Sequence, residues 1–550
     1  MIWALLGACL SMNPRPAASA DEVDTAISPG LPEPLPLPPA LLLRRASLDL
    51  RGVTPSLDEL ALVEADPAAL PGLLRTFLDD PRYEGRLVDL FSEHLLTRTD
   101  NYLVGPEDYG LDSATRPAFV RAVGEEAPRI LAFVGAHDRP WSEILTADYS
   151  FAPELLVGHW PIDYPAGATG WQPVHYTDGR PPLGVLSTNG LWWRYYTTAS
   201  GFNRSRAEAI SRLFLCESYL ERPIRFEAAS LVSSDDLAAA TRTVESCVSC
   251  HSTLDPLAAN LFGFWAYDIY DPFETSIYHT EREELGAYYL DVEPGLSGTP
   301  LDAPVDLGPA LAADPRFARC AVSTMAGLLW RRPVDPVADF DRISALEVDF
   351  EQGGQTLRPL VLSILAGAEY QAGALPAEAD PAQVERTTTR RLLSPEALAD
   401  AIEALTTFRW TEEGFDQLTN DERGYRVLAG GVDGDGVTRP ATEATLTQAL
   451  VMMRLAEAAA ATALAHDAPL PAEERLLFGP GDLSTLGPGE ADFEANIAVL
   501  HRRLFSLDPT DAQREADAAL WTEVAAQSSP ALAWTALATA LLRDPAFWTD

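Results

Sequence analysis

Lysine is missing from this 550-residue chain, whose 40 basic side chains are all arginine. Its absence removes Schiff-base chemistry, the phosphate-binding lysine of a Walker loop and any lysine ligand to a metal. Positive charge as a whole is scarce: 40 basic against 81 acidic residues give a formal charge of −41. A surface of that sign repels phosphate backbones and anionic headgroups. Nucleic acid is therefore not an expected partner, and membrane association is expected only through a lipid anchor. No uninterrupted apolar run reaches 18 residues, so no spanning helix is expected. The chain also lacks Gly-x-Ser-x-Gly, His-Glu-x-x-His, the kinase signatures and a Gly-x-Gly-x-x-Gly behind a clear strand, and with them the chemistries those motifs serve. With 81 acids, pairs of carboxylates arise by chance everywhere and identify no glycosidase.

Sulfur and imidazole are also sparse, with 5 Cys, 5 Met and 8 His. Against that background one stretch stands out, Cys247-Val248-Ser249-Cys250-His251. Cys-x-x-Cys-His is the attachment signature of a c-type haem. Two thiols add across the porphyrin vinyl groups, and the adjacent imidazole reaches one axial face of the iron. The competing reading is half of a zinc site. That needs a fourth ligand and usually a second close Cys or His pair, and no second Cys-x-x-Cys or His-x3–5-His exists here. The expected cofactor is one covalent haem c, held by Cys247 and Cys250, with His251 as the proximal iron ligand.

The remaining cysteines separate by position. Leu6-Gly7-Ala8-Cys9 resembles a lipobox, with Cys9 as the acylated residue, although the apolar run before it is short and has no preceding Arg or Lys. Haem c is assembled in an oxidising compartment, where Cys216 and Cys320 are expected to pair; two buried free thiols are the alternative. Residues 13–39, rich in Pro, Ala and acid, read as a tether.

From Ala40 the pattern is helical. Ser56-Leu57-Asp58-Glu59 is a capping box. Asp66-Pro67 and Asp80-Pro81 are N-cap and first-turn signals. The next helix carries Leu87, Leu90, Phe91, His94 and Leu95 as one buried stripe. An Asp-Pro-x-aromatic junction recurs at Asp80, Asp314 and Asp544. Asp caps, Pro opens the helix and the aromatic plugs the corner. Further helices are expected over 116–137, 205–216, 311–329, 357–370, 394–406, 444–465 and 492–504. The stretch 151–184, with His159 and His175, reads as irregular and as a surface loop or a cover for one haem edge. The aromatic run Phe262, Phe264, Trp265, Tyr267, Tyr270, Phe273 suits a porphyrin wall or an ordinary core. Residues 430–436, rich in glycine, read as a turn and fail the calcium-loop pattern. For the sixth iron ligand, Met325 on the apolar face of its helix is the thioether candidate. His94, His159, His175 and His279 are the imidazole candidates, and an open site is the third possibility.

Several blocks in order resemble a family of large bacterial haem-c proteins of planctomycetes and myxobacteria, built from domains of unknown function. They are Trp141-Ser142-Glu143-Ile144-Leu145-Thr146-Ala147-Asp148-Tyr149, Arg180-Pro181-Pro182-Leu183-Gly184-Val185-Leu186, and Cys247 to His251 with Asp255-Pro256. Leu48 to Pro55 is similar to their N-terminal helical module. Arg391 to Ser394 and Tyr425 to Gly431 are similar to a C-terminal module found with them. The resemblance implies a secreted or surface-anchored protein and no defined reaction. The expected fold is mainly α, multi-modular, with a single cytochrome-c-like haem-binding region. Its expected parts are a signal-like segment and tether (1–39), an N-terminal helical module (40–150), the haem region (151–375) and a C-terminal helical module (376–550). The expected function is electron transfer or redox sensing at the cell envelope, with an unknown redox partner, in the periplasm or as an outer-membrane lipoprotein. A peroxidase-like enzyme with five-coordinate haem and an adhesion or scaffold protein with structural haem are the rival readings.

Overall fold

The computed structural model describes residues 34–222, 234–377, 379 and 387–550; Cys9 and most of the expected tether lie outside them. The described residues are mainly helical, with 57% of them in helices and 5% in strands. The local signals explain where helices begin. Ser56 Oγ accepts from the Glu59 amide at 3.2 Å while the Glu59 carboxylate accepts from the Ser56 amide at 2.8 Å, so both orphan donors of that first turn are satisfied. The three Asp-Pro joints repeat one geometry. Asp80, Asp314 and Asp544 each accept, through Oδ1, the amide two residues on, at 2.9, 3.0 and 2.9 Å. Each following aromatic, Tyr83, Phe317 and Phe547, is at most 2% exposed. The cap turns the chain and the ring fills the corner.

These caps also break helices expected to be continuous. The expected 311–329 helix is two, Leu307–Ala313 and Pro315–Trp330, because Asp314 is extended (φ −68°, ψ 128°) and a proline cannot continue the preceding ladder. The expected 357–370 helix stops at Leu365 and restarts at Ala368 after an extended Gly367. At the other end, the last residues of the stretch expected as a tether are paired within the fold. Leu35–Pro36 pairs antiparallel with Ala372–Ala374, and the Leu37 amide donates to Gln371 O at 2.8 Å. Leu37 then packs on the main core.

Among the described residues, three apolar cores organise the helices. The largest runs from Leu42 to Tyr370, across the junction expected at residue 150. It joins helices Pro39–Arg51, Arg82–Leu95 and Arg116–Ala136 to Arg204–Phe214, Glu245–Ala259 and Pro315–Trp330. The second is formed by residues 392–548, with Leu48 of the first helix inserted into it. Helix Leu446–Asp467, the one described helix long and apolar enough to cross a membrane, lays Met452, Leu455, Ala456, Ala459 and Ala463 into this core. The third core is small. It occupies part of the stretch expected to be irregular, where Ser150–Ala152 pairs with Gln172–Val174 and Trp160 packs with Phe119 and Trp193. That stretch is therefore tied to helix Arg116–Ala136: buried Glu126 accepts from Ser150 Oγ (2.9 Å), Tyr176 Oη (2.6 Å) and the Gly190 amide (2.9 Å).

Between the first two cores lies a cavity of about 660 Å³ lined chiefly by arginines and carboxylates. Arg98 bridges Asp89 (2.7 Å) and Glu125 (2.6 Å), and Arg409 bridges Asp400 (2.6 Å) and Glu403 (3.2 Å). The glycine-rich turn belongs to the same joint. Asp433 Oδ1 accepts the Asp435 and Val437 amides at 2.7 and 2.8 Å, and Arg194 donates to Gly434 O. Gly434 sits at φ +81°, and a Cβ there would meet Leu96 O at 2.7 Å, so only glycine allows the approach.

Candidate haem-attachment site

Helix Glu245–Ala259 carries the whole signature. It opens at Val244, whose extended backbone (φ −88°, ψ 120°) separates it from helix Ser234–Thr243. Cys247, Cys250 and His251 stand at positions i, i+3 and i+4 of one continuous helix. That spacing puts two thiols and an imidazole on the same face. Cys250 is buried at 7% exposure, Cys247 is half-buried, and the His251 side chain keeps 23% of its surface.

The ring of His251 is oriented. Its Nδ1 lies 2.9 Å from Asp255 Oδ1, one turn further along the helix. A carboxylate only accepts, so Nδ1 carries the proton and the neutral ring keeps its lone pair on Nε2. Among the described residues, nothing hydrogen-bonds Nε2. Asp255 is fixed in turn by Arg204, at the start of helix Arg204–Phe214: Nε donates to Oδ1 at 2.7 Å and Nη2 to Oδ2 at 2.9 Å. Burial pushes the Asp255 carboxyl up, but Arg204 and the His251 ring outweigh it and hold the group below its ordinary value. The i, i+4 relation of His251 and Asp255 was readable in the sequence. Arg204 was not, because it reaches the site from 51 residues away.

Three further contacts hold the motif helix. Gly286, in helix Leu285–Leu290, lies so close that a Cβ there would meet Ala259 O at 2.3 Å. On another side, Arg222 Nη1 donates to Ser249 O at 3.2 Å and the hydroxyls of Tyr219 and Thr253 are 2.9 Å apart. That segment follows directly from Cys216, which is joined to Cys320 with Cα atoms 5.2 Å apart. Glu217 accepts from both Arg222 and Arg316 and draws the segment onto the Asp314 joint.

The aromatic run divides. Phe262, Phe264 and Trp265 are buried, whereas Tyr267, Tyr270 and Phe273 are exposed. Phe262 and Trp265 cluster instead with Phe202 and Tyr289, with Phe202 and Tyr289 stacked at 5.3 Å.

The residues expected near the sixth iron position make contacts of their own. Met325 is 1% exposed in the main core, on a helix packed against Arg82–Leu95, Arg204–Phe214, Phe340–Gln352 and Leu357–Leu365. His94 Nε2 donates to Leu213 O at 3.3 Å, and burial pushes this ring down to about 4. His279 Nε2 donates to Glu274 O at 3.0 Å, which occupies that nitrogen. His175 pairs with Asp163 at 3.1 Å on the surface, and His159 lies edge-on to Tyr109 at 5.4 Å. None of these five is in hydrogen-bond or ring contact with His251.

A zinc centre would need four converging donors. Among the described residues, no group of three or more His, Cys, Asp or Glu side chains converges in that way. The motif presents the side chains that a covalently attached porphyrin would use: two thiols on one helical face and one imidazole whose Nε2 has no hydrogen-bond partner among the described residues. No family model matches the chain, and neither the curated proteins nor the solved structures contain a significant match.

Proposed function

We propose that the chain is a c-type haem protein, with one haem attached through Cys247 and Cys250 and bound axially by His251. It carries single electrons, or senses redox state, outside the cytoplasm. The observation that carries this reading is the presentation of Cys247, Cys250 and His251 on one face of a continuous helix, with His251 Nδ1 engaged and Nε2 left as the donor. When bound, the haem supplies the one-electron couple. The protein's part is to tether it, to orient the axial ring and to bury one thioether position at Cys250.

Export follows from the same reading, since haem c is assembled in an oxidising compartment, and the Cys216–Cys320 bridge suits that compartment. Acylation at Cys9 would anchor the protein to a membrane. The blocks at 141–149 and 180–186, which carry much of the resemblance to the multidomain haem-c family, pack on one another: the Gly184 amide donates to Ala147 O at 3.0 Å. They serve the scaffold, and the chemistry rests on the motif helix.

The deciding experiment is expression of the full chain with haem-c maturation machinery. Haem peroxidase staining should survive on a denaturing gel, because thioethers do not dissociate, and Cys247→Ala with Cys250→Ala should abolish it. Stoichiometric zinc in place of haem in the matured protein would overturn the proposal.

A further inference from the structure

We infer that Asp255, oriented by Arg204, is the positioning residue that sets the donor strength of the His251 ring and so holds the iron of this site at a low reduction potential. The inference deepens the haem reading and rests on it.

The argument begins with hydrogen-bond chemistry. Most neutral partners of a ligating imidazole, such as a backbone carbonyl, only fix its tautomer. A carboxylate also draws the Nδ1 proton toward itself, which gives the ring imidazolate character and raises the basicity of Nε2. A stronger axial donor stabilises ferric iron over ferrous, so the potential falls. Asp255 is placed to act in this way. Its Oδ1 is 2.9 Å from Nδ1, and its side chain is 6% exposed, so the charge acts through little water.

Arg204 makes the device adjustable. It donates to the same Oδ1 at 2.7 Å and to Oδ2 at 2.9 Å, and it therefore competes with the imidazole for the carboxylate charge. The two residues pull in opposite directions. Removing the carboxylate weakens the axial donor, and removing the guanidinium releases carboxylate charge toward the ring.

The test is a potentiometric titration of the full chain carrying its haem, for wild type, Asp255→Asn and Arg204→Gln. Asp255→Asn should shift the ferrous-to-ferric ratio at fixed potential about tenfold toward ferrous, ~59 mV for one electron, and Arg204→Gln should shift it toward ferric. The Fe–CO stretch of the ferrous carbonyl adduct reads the ring itself, because CO binds opposite it. That stretch should rise in Asp255→Asn as the opposing donor weakens. An Asp255→Asn potential that is unmoved or lower, or a risen potential with an unmoved Fe–CO stretch, would overturn the inference while leaving haem attachment intact. A wild-type protein without covalent haem would overturn the haem reading instead.

Discussion

The hydroxyls of Tyr219 and Thr253 lie 2.9 Å apart, three residues beyond Cys216 and two beyond His251. Through this pair the segment fastened by the disulfide rests on the helix that carries the haem signature. Arg222, donating to Ser249 O, makes the second contact of the same strap. The bridge thus does more than close a loop, since it fixes one wall of the candidate site.

The disulfide gives the first prediction. It spans 104 residues, and cross-linking a loop of that length removes enough denatured-state entropy to stabilise the fold by up to ~4–5 kcal/mol in the chain-entropy model. Cys216→Ser with Cys320→Ser should lower the urea midpoint, and reductant should bring wild type down to the variant's value. An identical midpoint with and without reductant would show that the bridge carries no stability.

A second prediction concerns acid. Burial pushes the Glu125 carboxyl up, but Arg98, Arg121 and Arg129 around it outweigh that and hold it at about 2 against an ordinary 4.5. A carboxylate whose folded value is depressed contributes its full stability above the unfolded value. That contribution is lost progressively as the pH falls from about 4.5 toward about 2. Glu125→Gln leaves three arginines short of a partner at the cavity joining the two large cores. It should destabilise by roughly 3–5 kcal/mol at neutral pH, the cost of breaking a buried ion pair, and should flatten the loss of stability below pH 4.5. Stability curves of both proteins against pH check this. A variant that keeps the wild-type acid slope would assign that slope to other groups.

The third prediction addresses the sixth iron position. Met325 sits in the main core, on a helix packed against several others. Met325→Leu conserves volume there and should cost less than ~1.5 kcal/mol. If Met325 is packing and not a ligand, the oxidised and reduced absorption spectra of the haem-loaded variant should match wild type. Altered bands with haem still attached would assign the thioether to the iron.

Much of this molecule was legible in the chain itself, because the signals are local. The Ser56 capping box and the three Asp-Pro joints need only residues two to four positions apart, and each forms as its sequence implies. The haem signature is local as well: three residues within five positions share a helix face whatever surrounds them. Where local reading overreached, a backbone detail intervened. Asp314 and Gly367 take extended conformations that split helices whose apolar periodicity continues across them, and Leu35–Pro36 gains a strand partner that its proline-rich surroundings did not announce.

Tertiary structure alone decided which distant groups meet the motif. Arg204 reaches Asp255, Tyr219 reaches Thr253, and Gly286 admits the backbone of Ala259, all through contacts between separate helices and segments. No periodicity encodes such pairs, because the free energy that selects them comes from burying whole helix faces in a shared core. That shared burial also placed Met325, His94 and His279 away from hydrogen-bond or ring contact with His251. Residue type made each a candidate ligand; the packing of their helices and loops determined which atoms each one meets.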